Sequence, residues 1–320
     1  MVVRETMMYV NEDSGRINPF NDVYDSDAVR KIPTIIPSFP AYVDIEPTNH
    51  CNLKCRMCPR YPTKRKQGFM DYNLFKKVVK ECKKNYCPIR LIGWGEPFLH
   101  PQIQKFIKYV KQSSPQRLHI TTNGLAFKKY DMEMMVGFDV DSLIFSFQGV
   151  NEFGYNFMRN TNQFNTLVST INDFLAIRGS NEKPYVQITT TTTNESAKQI
   201  NEFVGYWIDK VDAVSVGKTN FDILPKKIPA NELLKPRKPF KHVPCTEVYH
   251  QIQVDWDGKV SPCCGDYDNF LTIGDANKQR IKEIWNESLR LRYIRNTLKN
   301  KGHKEFDLCR NCFPTYEGVD

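Results

Sequence analysis

Three cysteines stand within eight residues in the stretch TNHCNLKCRMCPR, residues 48–60. Cys51, Cys55 and Cys58 follow a C-x3-C-x2-C spacing, and no fourth cysteine lies nearby. Structural zinc and fully ligated iron–sulfur clusters take four protein ligands. A loop offering three thiolates leaves one coordination position for something other than protein. A second group lies near the other end of the chain. Cys245 and Cys263 bracket Gly258 in a C-x12-G-x4-C pattern, and Cys309 and Cys312 form a C-x2-C pair. Four cysteines equal the ligand count of a structural zinc or a fully ligated cluster. Ten cysteines in 320 residues are well below the density of a disulfide scaffold. In a reducing compartment, cysteines at such short spacings read as metal ligands. Cys82 and Cys87 read as packing residues.

The elements that must position these groups alternate along the chain from Ala41. AYVDIEP reads as a strand, the cysteine loop follows, and DYNLFKKVVKECKK has helical periodicity. PIRLIGWGEP is a strand running into a Gly-Pro turn, with PQIQKFIKYVKQ as the next helix. RLHITTNG, DSLIFSFQG, YVQITTTTTN and AVSVGKTNF are four more strands. KYDMEMMVG, FNTLVSTINDFLAIRG and AKQINEFVGYWIDK are the helices between them. Six strands alternating with helices imply parallel pairing through right-handed crossovers. The expected fold is α/β, a partial (β/α)6 TIM-like barrel over residues 41–225 with its site at the strand C-termini. An open doubly wound sheet would also place sites there, but no G-x-G-x-x-G opens a helix. Residues 1–40 are polar and read as an extended N-terminal arm lying on the domain. Residues 226–244, KKIPANELLKPRKPFKHVP, read as a basic, proline-rich linker or lid. In residues 245–320, VDWDGKVSPCC predicts a hairpin around Asp257-Gly258, and IKEIWNESLRLRYIRNTLK predicts one amphipathic helix.

The three-cysteine loop, followed one βα unit later by GWGEP, resembles the radical SAM superfamily. The resemblance implies a [4Fe–4S] cluster on Cys51, Cys55 and Cys58 whose fourth iron binds S-adenosylmethionine (SAM). Reductive cleavage of SAM would release a 5′-deoxyadenosyl radical that abstracts hydrogen from a substrate. Gly93, Trp94, Gly95, Glu96 and Pro97 then correspond to a Gly-Gly-Glu-Pro turn beside the SAM methionine, with Trp94 replacing a glycine. Met57 stands where many members carry an aromatic residue. Asn123, Ser146, Gln148, Thr191 and Asn194 are implied as further SAM contacts, and TTNG reads equally as a plain strand-ending turn. Cys245, Cys263, Cys309 and Cys312 resemble the ligands of SPASM and twitch extensions, which hold auxiliary iron–sulfur clusters. A full SPASM domain carries more cysteines after the C-x2-C pair, so four predict the twitch form with one auxiliary [4Fe–4S] cluster. Zinc stays open by ligand count, as a ribbon at the C-terminal set or a site from Cys55, Cys58 and a distant pair.

The 18-residue step from Cys245 to Cys263 and the final C-x2-C resemble most the aminocyclitol dehydrogenase and aminoglycoside epimerase group. The implied function is dehydrogenation or epimerisation of a small hydroxylated or amino-sugar-like substrate, fed by an electron donor such as flavodoxin or ferredoxin. Lys218, ending the sixth strand, is the candidate base or hydroxyl anchor, and reads equally as an exposed strand-end lysine. Cys264, beside a ligand, packs under the hairpin or donates a hydrogen atom to a substrate radical, as an epimerase requires. Ribosomal-peptide modification is the alternative, although a 40-residue arm is short for a leader-recognition domain. A zinc-stabilised nucleic-acid binder is the second alternative, but the cysteine regions lack basic-aromatic interleaving. The formal charge of +9 falls to roughly +6 once seven thiolates ligate two clusters. No apolar run approaches the roughly 20 residues of a membrane span, and no signal-peptide pattern opens the chain. The expected setting is cytoplasmic, with neither membrane nor nucleic acid as partner.

Overall fold

Short β-rich runs alternating with amphipathic segments close here around a ten-stranded sheet. The computed structural model describes residues 6–25, 31–60, 63–112, 116–219, 240–310, 312 and 316–318. The strands are β1 (Met7–Val10), β2 (Tyr42–Ile45), β3 (Ile89–Leu91), β4 (Leu118–Thr122), β5 (Ser142–Ser146), β6 (Tyr185–Thr192) and β7 (Ala213–Lys218). β8 (Phe240–His242), β9 (Gln251–Val254), β10 (Lys259–Ser261), β11 (Gly274–Asp275) and β12 (Tyr316–Gly318) follow. The helices are α1 (Tyr72–Lys84), α2 (Ile103–Lys111), α3 (Lys129–Gly137), α4 (Glu152–Arg159) and α5 (Phe164–Arg178). α6 (Ala197–Ile208), α7 (Ile281–Glu287), α8 (Leu289–Lys299) and α9 (Asp307–Arg310) complete them.

β2 through β7 are parallel neighbours in chain order, as the alternation predicts. The sheet also recruits β9, which pairs parallel to β2 with Tyr42 beside Gln251 and Asp44 beside Gln253. The predicted hairpin forms as β9 and β10 and carries β11 at the sheet edge. At the other edge the N-terminal arm contributes β1, antiparallel to β7. The single helix expected over residues 281–299 is two helices. Ser288 leaves helical geometry (φ −61°, ψ 112°) and caps α8 by accepting from Leu291 N at 3.3 Å. α4 was not expected; Asn151 caps it and Asn160, in the left-handed region, ends it. Of the linker or lid predicted at 226–244, residues 226–239 lie outside the described residues.

Helices bury one face against the sheet. α1 starts at Asp71, whose carboxylate accepts from Asn73 N and Leu74 N, and buries Leu74, Phe75, Val78, Val79 and Cys82. Phe75 stacks on Phe106 of α2 at 3.9 Å. Cys82 and Cys87 are both buried in this core, as expected of packing thiols. Strand pleating then divides each barrel strand in two. Val43, Ile45, Ile89, Leu91, Leu143 and Phe145 are fully buried in the core shared with the helices. The residues between them, Asp44, Arg90, His119, Ser142, Gln187 and Gln253, are polar. Four of them pair across the opposite face: Arg90 clamps Asp44 with two bonds of 2.6 Å, and His119 Nδ1 meets Ser142 Oγ at 3.1 Å. A TIM-type interior is ordinarily layered with Val, Ile and Leu. This one is polar.

Candidate active site

The cysteine loop leaves β2 at Glu46 and returns at Met70. Its base is fastened by short-range polar contacts that its own sequence supplies. Asn49 accepts from Gly68 N at 2.9 Å and donates to Lys66 O at 2.8 Å, and Thr48 Oγ1 donates to Gly68 O at 2.6 Å. Buried Arg60 donates to Asn49 O and Leu53 O across the loop. Cys55 is buried, and Cys51 and Cys58 are half-buried. Burial raises the Cys51 thiol and lifts Cys58 to about 11, with Arg60 opposing and the neighbouring thiols reinforcing. The unexpected helix α4 lies against this loop. Arg56 donates to Phe157 O at 2.8 Å, and buried Arg159 brings Nη1 to 3.5 Å from Cys55 Sγ. Arg159 Nη2 donates to Phe147 O at 2.8 Å, so its charge is aimed by β5. Tyr155 is fully buried beside it, and its hydroxyl has no hydrogen-bond partner.

The GWGEP turn supports the same loop. A Cβ on Gly95 would meet Thr48 O at 2.2 Å and His50 O at 2.5 Å, so only glycine lets the two backbones touch. Gly93 is similarly closed off by Glu46, and Glu96 N donates to His50 O at 2.8 Å. Glu96 is buried, and its carboxylate accepts from Thr122 Oγ1 and Asn123 N at 2.7 Å and from Phe98 N at 3.2 Å. Burial pushes that carboxyl up to about 7 against the pull of those bonds. Glu96 therefore braces the end of β4 in this structure. Pro97 starts a buried turn behind it. Asn123 reaches the loop itself, donating to Asn52 Oδ1 at 2.8 Å with Cys51 Sγ at 3.7 Å. Trp94 reaches the C-terminal region: its Nε1 donates to Asp266 O at 3.2 Å, and Tyr267 packs edge-on against it. The residue replacing a motif glycine is thus an anchor for the C-terminal region.

Gln148, Thr191 and Thr219 close a hydrogen-bonded ring with bonds of 2.7–2.9 Å between their side chains. Gln148 and Thr191, singled out separately, come together there, and Thr219 was missed. Ser146 is half-buried on the polar face of β5. Asn194 is exposed in the bend after β6 and is not brought into the ring. Lys218 is exposed at the C-terminal end of β7, in register with Thr192.

The second cysteine group lies at the other end of the barrel. Cys245 precedes the turn that leads into β9, and Cys263 follows β10, which runs back antiparallel. Both are therefore at the N-terminal ends of the parallel strands, with about 13 Å of strand (four residues at ~3.3 Å) separating them from the first loop. Burial lifts Cys245 to about 12, and raises Cys309 and Cys312, each of which also feels the charge of Cys245. Among the described residues no three ligating side chains close on a single point as the ligands of one ion do. Within each set the thiols raise one another's ionisation. Buried thiols with raised ionisation need a positive partner, which bound iron supplies. Both sets fit iron–sulfur clusters on that ground.

At the C-terminal strand ends the cysteine loop is tied to the C-terminal region by charge. Arg65, on the return of the cysteine loop, lies between Glu46 and Asp255, bonding Glu46 bidentately and reaching Asp255 at 3.2 Å. All three side chains are at most 4% exposed. Asp268 accepts from Thr63 Oγ1, Lys64 N and Arg65 N, and Trp256 lies flat on Gly68. None of these partners is near in sequence, and only the Asp-Gly turn after Asp255 marked the region.

A model of the radical SAM superfamily matches residues 45–207, about half of the chain. The chain belongs to the radical SAM superfamily. That membership displaces the zinc reading of the first cysteine loop, and an iron–sulfur cluster-binding SPASM model matches residues 245–313. Radical SAM and SPASM domains bind a SAM-ligating [4Fe–4S] cluster and auxiliary clusters, in agreement with the two thiol sets. This radical SAM chain is 28% identical over 187 residues to the tungsten-containing aldehyde ferredoxin oxidoreductase cofactor-modifying protein of Pyrococcus furiosus, covering 55% of this chain and 50% of that protein. It spans only half the length of that relative. It is 22% identical to the S-adenosyl-L-methionine-dependent 2-deoxy-scyllo-inosamine dehydrogenase of Niallia circulans, covering 84% of this chain and 91% of the other. Among solved structures, BtrN in complex with AdoMet and 2-DOIA has a TM-score of 0.57 at 19% identity over 86% of this chain and 93% of its own. Streptococcus suis SuiB bound to S-adenosylmethionine has a TM-score of 0.65 at 17% identity, covering 86% and 72%. These likenesses establish the shared fold. Among the described residues no helix is long and apolar enough to cross a membrane.

Proposed function

We propose that this radical SAM enzyme is an oxidoreductase acting on a small hydroxylated or amino-sugar-like substrate, by dehydrogenation or epimerisation. The observation that carries the reading is the polar face of the barrel strands. Thr121, Ser146 and Thr189 are half-buried there, above the Asp44–Arg90 pair and His119. Hydroxyls and amides at those positions suit a ligand rich in hydroxyl groups and would leave an apolar one against unpaired polar atoms. When bound, SAM and its cluster supply the 5′-deoxyadenosyl radical that takes hydrogen from a substrate carbon. The chain's part is to hold and orient. Cys51, Cys55 and Cys58 hold the cluster, Arg159 backs Cys55, and Gly93 and Gly95 allow close backbone approach. The C-terminal set is read as the four ligands of one auxiliary cluster, the twitch form. Lys218 at the rim is the candidate base or hydroxyl anchor, and Cys264 the candidate hydrogen donor for epimerisation.

Anaerobic turnover with specifically deuterated amino sugars and cyclitols tests this reading. Deuterium should arrive in 5′-deoxyadenosine; transfer from none of them contradicts the substrate class. Full turnover in Lys218→Ala removes the base, and full-rate epimer formation in Cys264→Ala removes the donor. The peptide-modifying alternative is favoured by an exposed aromatic patch on α4, where Phe153, 80% exposed, stacks on Phe157. Deuterium arriving only from peptide carbons would put that reading first.

A further inference from the structure

The floor of the barrel carries a carboxylate and an amide oxygen that the described side chains only partly satisfy. Gln251 opens β9 and is completely buried. Its Nε2 donates to Glu247 Oε2 at 2.7 Å and points to Cys264 Sγ at 3.6 Å. Its Oε1 is buried without a hydrogen-bond partner. An amide oxygen left unpaired in that position is costly, and native structures rarely keep one without a function. Glu247 is half-buried, and among the described residues no cationic side chain lies within ion-pair distance of it. The nearby Arg90 is already committed to Asp44 through both of its bonds to that carboxylate. Pairing of β9 with β2 sets Gln251 beside Tyr42 and Gln253 beside Asp44, so these groups share the polar face of the sheet.

From these groups we infer that Glu247 and Gln251 form a binding subsite for the primary ammonium group of the substrate. An ammonium has three donors and no acceptor. It would meet the Glu247 carboxylate and Gln251 Oε1, where a water or an alcohol satisfies the oxygen but not the charge. The subsite rests on the small-substrate reading above and narrows it to amines. It lies at the opposite end of the strands from the SAM loop, so the amine end of the substrate points down and the reacting carbon up.

Calorimetric titration of the anaerobically loaded protein with glucosamine and with glucose, each in the presence of SAM, tests the assignment. Wild type should prefer glucosamine by about tenfold to a hundredfold, the range of a charge-assisted hydrogen bond. Glu247→Gln, which keeps the shape and loses the charge, should cut that preference to within about threefold. Gln251→Leu is the second variant, expected to weaken glucosamine more than glucose; iron content and circular dichroism show whether each variant is loaded and folded. Equal binding of the two sugars by wild type overturns the ammonium subsite and leaves the small-substrate reading standing. A preference that persists undiminished in both loaded variants overturns the assignment to Glu247 and Gln251. Binding of neither sugar overturns the substrate class and the subsite with it.

Discussion

Replacing Arg65 with Met should unfold the link between the cysteine loop and the C-terminal region. The guanidinium is 4% exposed and stands between Glu46 and Asp255, which are 0% and 1% exposed. Removing it leaves two carboxylates buried side by side without a cation. Breaking a buried pair in this way costs about 3–5 kcal/mol, most of it the desolvation of the abandoned charge. Glu46 has further duties, accepting from Trp94 N at 3.0 Å, so strain there reaches the GWGEP turn. Burial already holds the Asp255 carboxyl well above the usual range, with Glu46 adding to the effect and Arg65 opposing it. Without Arg65 that rise must grow, so the fold tolerates the protonated acid and loses stability as pH rises. Urea unfolding followed by tryptophan fluorescence at pH 5 and pH 8 measures both effects. The deficit should be about 3–5 kcal/mol at pH 8 and smaller at pH 5. Adding Glu46→Gln and Asp255→Asn to Arg65→Met should restore most of it, because the stranded charges are then gone. A loss below about 1 kcal/mol, the range of an exposed pair, would refute the reasoning. So would a deficit that neither pH nor neutralisation changes.

Three further outcomes are expected. Gly95→Ala forces a Cβ against Thr48 O and His50 O, so the loop must shift; iron should fall from about eight per chain toward about four, measured by colorimetric iron assay. Replacing Cys51, Cys55 and Cys58 together by Ala should leave the C-terminal iron and abolish SAM cleavage, followed by chromatography of 5′-deoxyadenosine; surviving cleavage contradicts the ligand assignment. Burial, with Arg90 adding, depresses His119 to about 3, so the fold accepts only the neutral ring and stability is lost as pH falls below about 6.5. At pH 5 that loss is about 2 kcal/mol, and His119→Gln should abolish it, leaving a flatter stability profile between pH 5 and 7.

The local code in this chain is rich. Cysteines close in sequence must be close in space, so C-x3-C-x2-C declared a three-thiol site, whereas Cys245, Cys263, Cys309 and Cys312 were grouped by their likeness to the SPASM and twitch pattern. Alternation of β-rich and amphipathic runs declared parallel pairing, because successive parallel strands need a crossover between them. The Asp257-Gly258 turn marked the hairpin by its own backbone chemistry. Helix α4 slipped through, since eight residues give little periodicity, although Asn151 and Asn160 would have marked its ends. What tertiary structure alone decided are the partners of long-range residues. Nothing in GWGEP says that Trp94 will hydrogen-bond to Asp266, 172 residues away. Nothing in the cysteine loop names Asp255 as the second carboxylate of Arg65. The cause in both cases is β9, which pairs with β10 along one edge and with β2 along the other and so brings the C-terminal residues under the loop. The spacing of ligands is a property of a short chain segment; the charge that faces them is a property of the closed sheet.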